Sequence, residues 1–279
     1  MRISAVLLLG MALILCVCGE IRSYPQNYGP FEEGEEPNTV EIYEFDLLEP
    51  EDANIYVEGV WVFGRRDKES MSQVWLMRFS AISSGTFVKV LNSRGEVVFG
   101  PQQVSEHCTA PSVNWMDLNR DKKEDYIVWV WSGGCGLAAG YCDIAFILSE
   151  GSGYKSTVVS TLCPTSEDFV DFRGDGKCQF VHTSFVYGEK GRDGKTHNYW
   201  VYNILEFKGA DLLVNNKVDK RFPKWIWYTF KPNHKATTQL TSEQKQRLWK
   251  PHSERIFWQP KQPMKEGKNP RLDKEGCCI

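Results

Sequence analysis

The chain lacks the short patterns that mark common catalytic centres. No G-x-S-x-G, H-E-x-x-H or P-loop sequence occurs, so serine-hydrolase, zincin and phosphate-loop chemistry are without their signatures. The five histidines (His107, His182, His197, His234 and His252) form no spaced pair of the metal-binding kind. No C-x₂-C pair supports zinc. Gly134-Cys-Gly136-Leu-Ala-Ala139 follows an apolar run as a dinucleotide fingerprint would. That fingerprint needs a helix at the loop, whereas the next apolar run, Asp143–Leu148, resumes within a few residues. The segment reads as a glycine-rich hairpin loop. The basic residues follow no nucleic-acid motif, so nucleic acid is not an expected partner.

A membrane-length apolar run is also missing. The longest, Ala5 to Val17, falls short of the roughly 20 residues a spanning helix needs. It follows the basic start Met1-Arg2 and ends in the small residues of Val17-Cys18-Gly19. Residues 1–19 are therefore expected to be a secretory signal peptide, with no transmembrane span after its cleavage. The expected location is secreted, periplasmic or in the cell envelope. Cys16 and Cys18 raise lipidation as an alternative, but Leu15 and Val17 stand where a lipobox has Gly, Ala or Ser.

Hydrophobic residues make up 42% and aromatics 13%, ample for a core. The formal net charge of −3 hides an asymmetry. Residues 20–54 carry eleven acids against one base, Arg22, and residues 217–279 carry fifteen bases against six acids. Two readings follow: two solvated ends, or an acidic arm lying across the basic C-terminal region. By composition, residues 20–54 form an acidic extended leader and residues 259–279 a disordered basic tail.

Between them, over 55–258, short aromatic and β-branched runs alternate with turn residues: Gly59–Phe63, Val74–Phe79, Thr86–Leu91, Glu96–Phe99, Asp125–Trp131, Asp143–Leu148, Lys155–Ser160, Gln179–Phe185 and Tyr199–Phe207. Asn92-Ser-Arg-Gly95 separates two of them as a hairpin turn would. This rhythm predicts an all-β domain of antiparallel sheets. One short C-terminal helix is expected, capped by Thr241 with Gln244 reaching back and stopped by Pro251.

Seven cysteines follow residue 19. In an oxidising compartment Cys135 with Cys142, and Cys163 with Cys178, are the expected disulfides, with buried free thiols as the alternative. Trp225 and Trp227 fall on one face of a strand-like run. They could stack on sugar rings, although such aromatics more often pack a core.

The most informative stretch is Asp117-Leu-Asn119-Arg-Asp121-Lys-Lys-Glu-Asp125. It sets oxygen side chains at positions 1, 3, 5 and 9, a spacing with which a tight loop wraps Ca²⁺, and a backbone carbonyl near Lys123 could add a ligand. A second stretch, Asp171-Phe-Arg-Gly-Asp175-Gly-Lys-Cys-Gln179, starts 54 residues later and keeps the first and fifth carboxylates. Arg173 and Gln179 replace ligands in it, so it reads as a degenerate copy.

The pair resembles the calcium loops of FG-GAP/VCBS repeats, the units of integrin-like β-propellers, over roughly residues 100–207. Lys122 departs from that pattern, which has glycine there. The resemblance implies a reduced β-propeller or a sandwich, since three lengths of 54 residues nearly fill the domain. It also implies a structural Ca²⁺ held by Asp117, Asn119, Asp121, Asp125 and the Lys123 carbonyl, and a weaker candidate loop at Asp171 and Asp175.

The expected function is a non-enzymatic, calcium-stabilised binding or structural protein of the envelope or extracellular space. Its partner is an unidentified macromolecule, a carbohydrate or a surface protein. The alternative is a secreted carbohydrate-active enzyme.

Overall fold

A computed structural model describes residues 29–31, 34–51, 59–64, 73–79, 85–107, 111–134, 136–228, 240–253 and 256–258. The expected signal peptide, residues 20–28, 32–33 and 52–54 of the leader, and the 259–279 tail lie outside the described residues. Among the described residues the fold is all-β and antiparallel, with one short α-helix. All nine strand-like runs read from the sequence are strands.

Three meanders follow one another along the chain. The first sheet joins β3 (Asp46–Glu51), β4 (Gly59–Gly64), β5 (Gln73–Phe79), β6 (Gly85–Leu91) and β7 (Val97–Ser105) in that order. The second contains β8 (Ser112–Met116), β9 (Asp125–Trp131), β10 (Tyr141–Glu150) and β11 (Gly153–Leu162), flanked by β2 (Tyr43–Glu44) on β8 and β17 (Phe257–Trp258) on β11. The third runs β1 (Asn38–Thr39), β12 (Phe169–Asp171), β13 (Gln179–Lys190), β14 (Thr196–Lys208) and β15 (Asp211–Val214). The long β14 shares its outer edge between β15 and β16 (Lys224–Trp227).

The second sheet is the middle layer, and strand β9 shows why its sequence is one unbroken apolar run. Tyr126, Val128 and Val130 pack toward the first sheet with Val88, Val90 and Val104. Ile127 and Trp129 face the third sheet with Phe146, Phe169, Phe180 and Leu205. A strand buried on both faces has no polar positions to alternate with. Phe146 meets Phe169, Phe180 and Phe207 edge to face, joining the second and third sheets. Burying each such ring contributes about 3 kcal/mol. Polar ties add register: Asp143 of β10 accepts from Ser105 of β7 at 2.6 Å, and Thr161 of β11 donates to the Thr183 carbonyl of β13 at 3.0 Å.

The leader requires a correction. Residues 38–51 form three strand pieces rather than a loose acidic arm. β1 pairs with β12, β2 with β8 and β3 with β4, so one segment laces the first strand of every sheet. Its backbone satisfies the open edges of those strands while Glu41, Glu44 and Asp46 stay exposed and Phe45 is buried. The domain therefore begins well before residue 55. Nearer the N-terminus the acidic segment does meet the basic region. Glu35 pairs with Arg221 at 3.1 Å, the Pro30 carbonyl accepts from Lys224 at 2.5 Å, and Phe31 packs on Phe172 and Phe222.

The helix α1 (Ser242–Ser253) is capped as expected. Thr241 N–H donates to Gln244 Oε1 at 2.9 Å, and Gln244 N–H donates to Thr241 Oγ1 at 3.1 Å. It runs past Pro251, whose missing N–H falls in the last turn and removes a single internal bond. Among the described residues no helix is long and apolar enough to cross a membrane.

Candidate functional site

The Asp117–Asp125 segment is the turn from β8 to β9, and its side chains close it from within. Asp117 accepts from the Asp121 and Lys122 amides at 3.0 and 2.9 Å, and Asn119 Oδ1 accepts from Asp121 at 3.1 Å. Asp121 Oδ1 accepts from the Lys123 amide at 2.9 Å. Asp125 turns inward and is wholly buried. One of its oxygens accepts from the amides of Leu118 and Asn119, the other from the amide and hydroxyl of Ser149. Burial pushes the Asp125 carboxyl up to about 6, against the downward pull of those four hydrogen bonds.

The donor set can be tested against Ca²⁺. Asp117, Asn119 and Asp121 each retain acceptor lone pairs beyond the bonds above, so these three fit a hard cation approached from solvent. Asp125 does not, because four donors saturate its two oxygens. Among the described residues no group of three or more His, Cys, Asp or Glu converges for a metal. The Lys123 ammonium donates to the Gly151 carbonyl at 2.6 Å and lies 4.0 Å from Asp121 Oδ2. Ser149, which sequence reading missed, has one hydroxyl proton to share between Asp125 Oδ1 at 2.9 Å and Asp121 Oδ2 at 2.7 Å. It stands in the next hairpin, and no local pattern links it to the loop.

The second loop, from β12 to β13, repeats this skeleton position by position. Asp171 accepts from the Asp175 and Gly176 amides at 3.3 and 2.6 Å, and Asp175 accepts from Lys177 at 3.0 Å. Gln179 takes the place of Asp125 and accepts from the Phe172 amide at 3.0 Å. Backbone handedness also repeats. Arg120 and Lys122 have φ of 64° and 67°, and Gly174 and Gly176 have 65° and 76°. The Arg173 guanidinium pairs with Glu206 at 2.9 Å, and its amide donates to Asp171 Oδ1 at 3.1 Å. Arg120 joins the loops by donating to the Asp175 carbonyl at 2.9 Å.

The disulfide expectation for Cys163 and Cys178 is corrected: both are free thiols. Cys178 points into the core between the second and third sheets, whereas Cys163 sits exposed on a left-handed turn residue with φ of 48°. Cys142 is a buried free thiol, and its expected partner Cys135 lies outside the described residues. The sugar-stacking expectation fails for Trp225, which is wholly buried against Tyr199. Trp227 shares that face, half-buried, with His197 against its ring.

Two other clusters were not legible in advance. Ser105 and Ser160 both donate to Asp143, and His107 Nε2 lies 3.9 Å from the same carboxylate. The hydroxyls point at the acid rather than the imidazole, which is not nucleophile–base geometry. Asp168 lines a cavity of about 500 Å³ with Glu36, Glu167, Cys163 and Tyr202. Burial pushes its carboxyl up to about 7, with Glu167 adding to the rise and the Thr165 amide opposing it.

With this geometry in hand, comparison with known proteins adds no relationship: no family model, curated protein or solved structure matches the chain.

Proposed function

We propose that this chain is an exported, non-enzymatic β-repeat protein that binds or scaffolds a macromolecule in the envelope or extracellular space, with Ca²⁺ as a structural cation of the Asp117–Asp125 loop. The observation carrying this reading is that the loop's side chains close it onto its own backbone and Ser149, which locks one β-meander, while Asp117, Asn119 and Asp121 keep acceptor lone pairs toward solvent. Calcium then bridges Asp117, Asn119 and Asp121 on the solvent side of a loop already closed. It adds stability instead of creating the fold. An affinity typical of extracellular modules, near 1 mM, makes 10 mM Ca²⁺ worth about 1.4 kcal/mol. Thermal melting in Ca²⁺ and in chelator tests this. The calcium-dependent rise should vanish in Asp121→Ala and persist in Asp175→Ala. A melting curve indifferent to calcium rejects the cation. Turnover of a member of a glycan panel would reject the non-enzymatic part.

A further inference from the structure

We propose that the open edge of β13 around Phe185, with the cavity beside it, docks an extended segment of a partner protein that carries a bulky apolar side chain and, two positions on, a Lys or Arg. Such docking rests on the macromolecule-binding role above and gives that role its kind of partner. β14 pairs with one edge of β13 from Gln179 to Lys190, with one register shift. On the other edge β12 pairs only with Gln179 and Phe180. Thr161 of β11 then fills one rung with its side chain, accepting from the Thr183 amide at 3.1 Å and donating to the Thr183 carbonyl at 3.0 Å. Rungs recur at every second residue of an antiparallel strand, so the Phe185 N–H and C=O face the same way. Among the described residues no strand meets them. An open rung of this kind is a template for another extended chain. The register with β14 shifts between Val186 and Glu189, which keeps the regular edge short and leaves side chains to decide the fit.

The cavity alongside has a volume of about 500 Å³. Part of its lining is fixed before any partner arrives: His182 and Trp225 are 1% and 0% exposed, and His182 Nε2 lies 3.0 Å from the Ser160 carbonyl across the gap between β13 and β11. Its more open part is aromatic. Tyr141 is half-buried, and Tyr187 is 65% exposed with its ring 4.6 Å from that of Phe185. An apolar side chain from an incoming strand covers these rings and removes their apolar surface from water. Glu189 is the one charged residue of the described lining, and it enters no ion pair among the described residues. Residues two apart on an extended strand share a face, so a basic residue at that spacing accompanies the apolar one and answers the carboxylate.

The test is selection from a positional-scanning library of nonapeptides on the immobilised full chain, followed by fluorescence anisotropy with the selected peptide. The expected selection is an apolar residue with Lys or Arg two positions on. Its binding should weaken about tenfold in Tyr187→Ala and about fivefold in Glu189→Gln, and stay unchanged in Leu213→Ala, an exposed control on β15. Circular dichroism checks that the variants fold. Methylating alternate backbone amides of the peptide should abolish binding in one of the two phases, a loss that side-chain contact alone does not produce. Selection of no peptide, full binding of both methylated forms, or equal loss in Leu213→Ala overturns the site. Retention of members of a glycan panel with no peptide selected also overturns it, but leaves the wider binding role standing.

Discussion

The two turns that open the second and third sheets share one backbone and differ in how it is held. Both bend through left-handed residues at their fourth and sixth positions, and both collect amide donors on a leading aspartate. The first turn places Arg120 and Lys122 where the second has glycine. Left-handed geometry costs an L-residue about 1 kcal/mol, and glycine nothing. The first turn meets that cost by anchoring its last position, Asp125, in the core with four donors, whereas Gln179 of the second accepts from one amide. Strain tolerated in the first turn thus goes with an anchor held by more donors, and relaxed glycine in the second with an equally buried anchor that accepts from one amide.

Removing the anchors separates the turns most sharply. Asp125→Ala strands the amides of Leu118, Asn119 and Ser149 and should cost about 3 kcal/mol, read as the midpoint shift in urea. Gln179→Ala should cost about 1 kcal/mol, and equal costs would erase the distinction. Acidity sharpens the contrast next, because the third sheet keeps a half-buried acid just ahead of the turn, at Asp168. Its folded value of about 7 lies above the ordinary aspartate value, so folding favours the protonated form. This group's contribution to stability therefore falls as pH rises from about 4 to 7 and is level beyond those limits. Asp168→Asn should gain about 2 kcal/mol on the native protein at pH 8, after allowing for solvent screening, and less at pH 5. Denaturant melts at the two pH values decide it. The smallest effects come from exchanging the sixth residues. Gly176→Ala should lose about 1 kcal/mol, since its Cβ would meet the Arg120 guanidinium as well as take a strained φ. Lys122→Gly should be neutral or stabilising by a few tenths of a kcal/mol, glycine's larger unfolded-state entropy offsetting part of the relief.

The sequence exposed these turns because their ligand-type residues are local, lying within nine positions of one another. The long strands were equally legible, since an apolar run such as Tyr126–Trp131 needs no context to be recognised. Ser149 was invisible: it reaches Asp125 through the pairing of β10 with β9, not through spacing. The two-residue strands β1 and β2 carry no period at all and exist because waiting edges accept their backbone. The Cys163–Cys178 pairing failed for a related reason. Bracketing a loop in sequence does not tell which cysteine points into the core, and Cys178 does.

The lacing segment also dictates an order of assembly. Synthesis delivers Asn38–Glu51 first, yet Asn38 must find Asp171 and Tyr43 must find Trp115, which the ribosome makes much later. Contacts so distant along the chain close slowly, because the intervening loop entropy is lost before the pairing repays it. β3 closes locally onto β4 within the first sheet, whereas the open edges of β12 and β8 wait for β1 and β2, whose partners lie far along the chain.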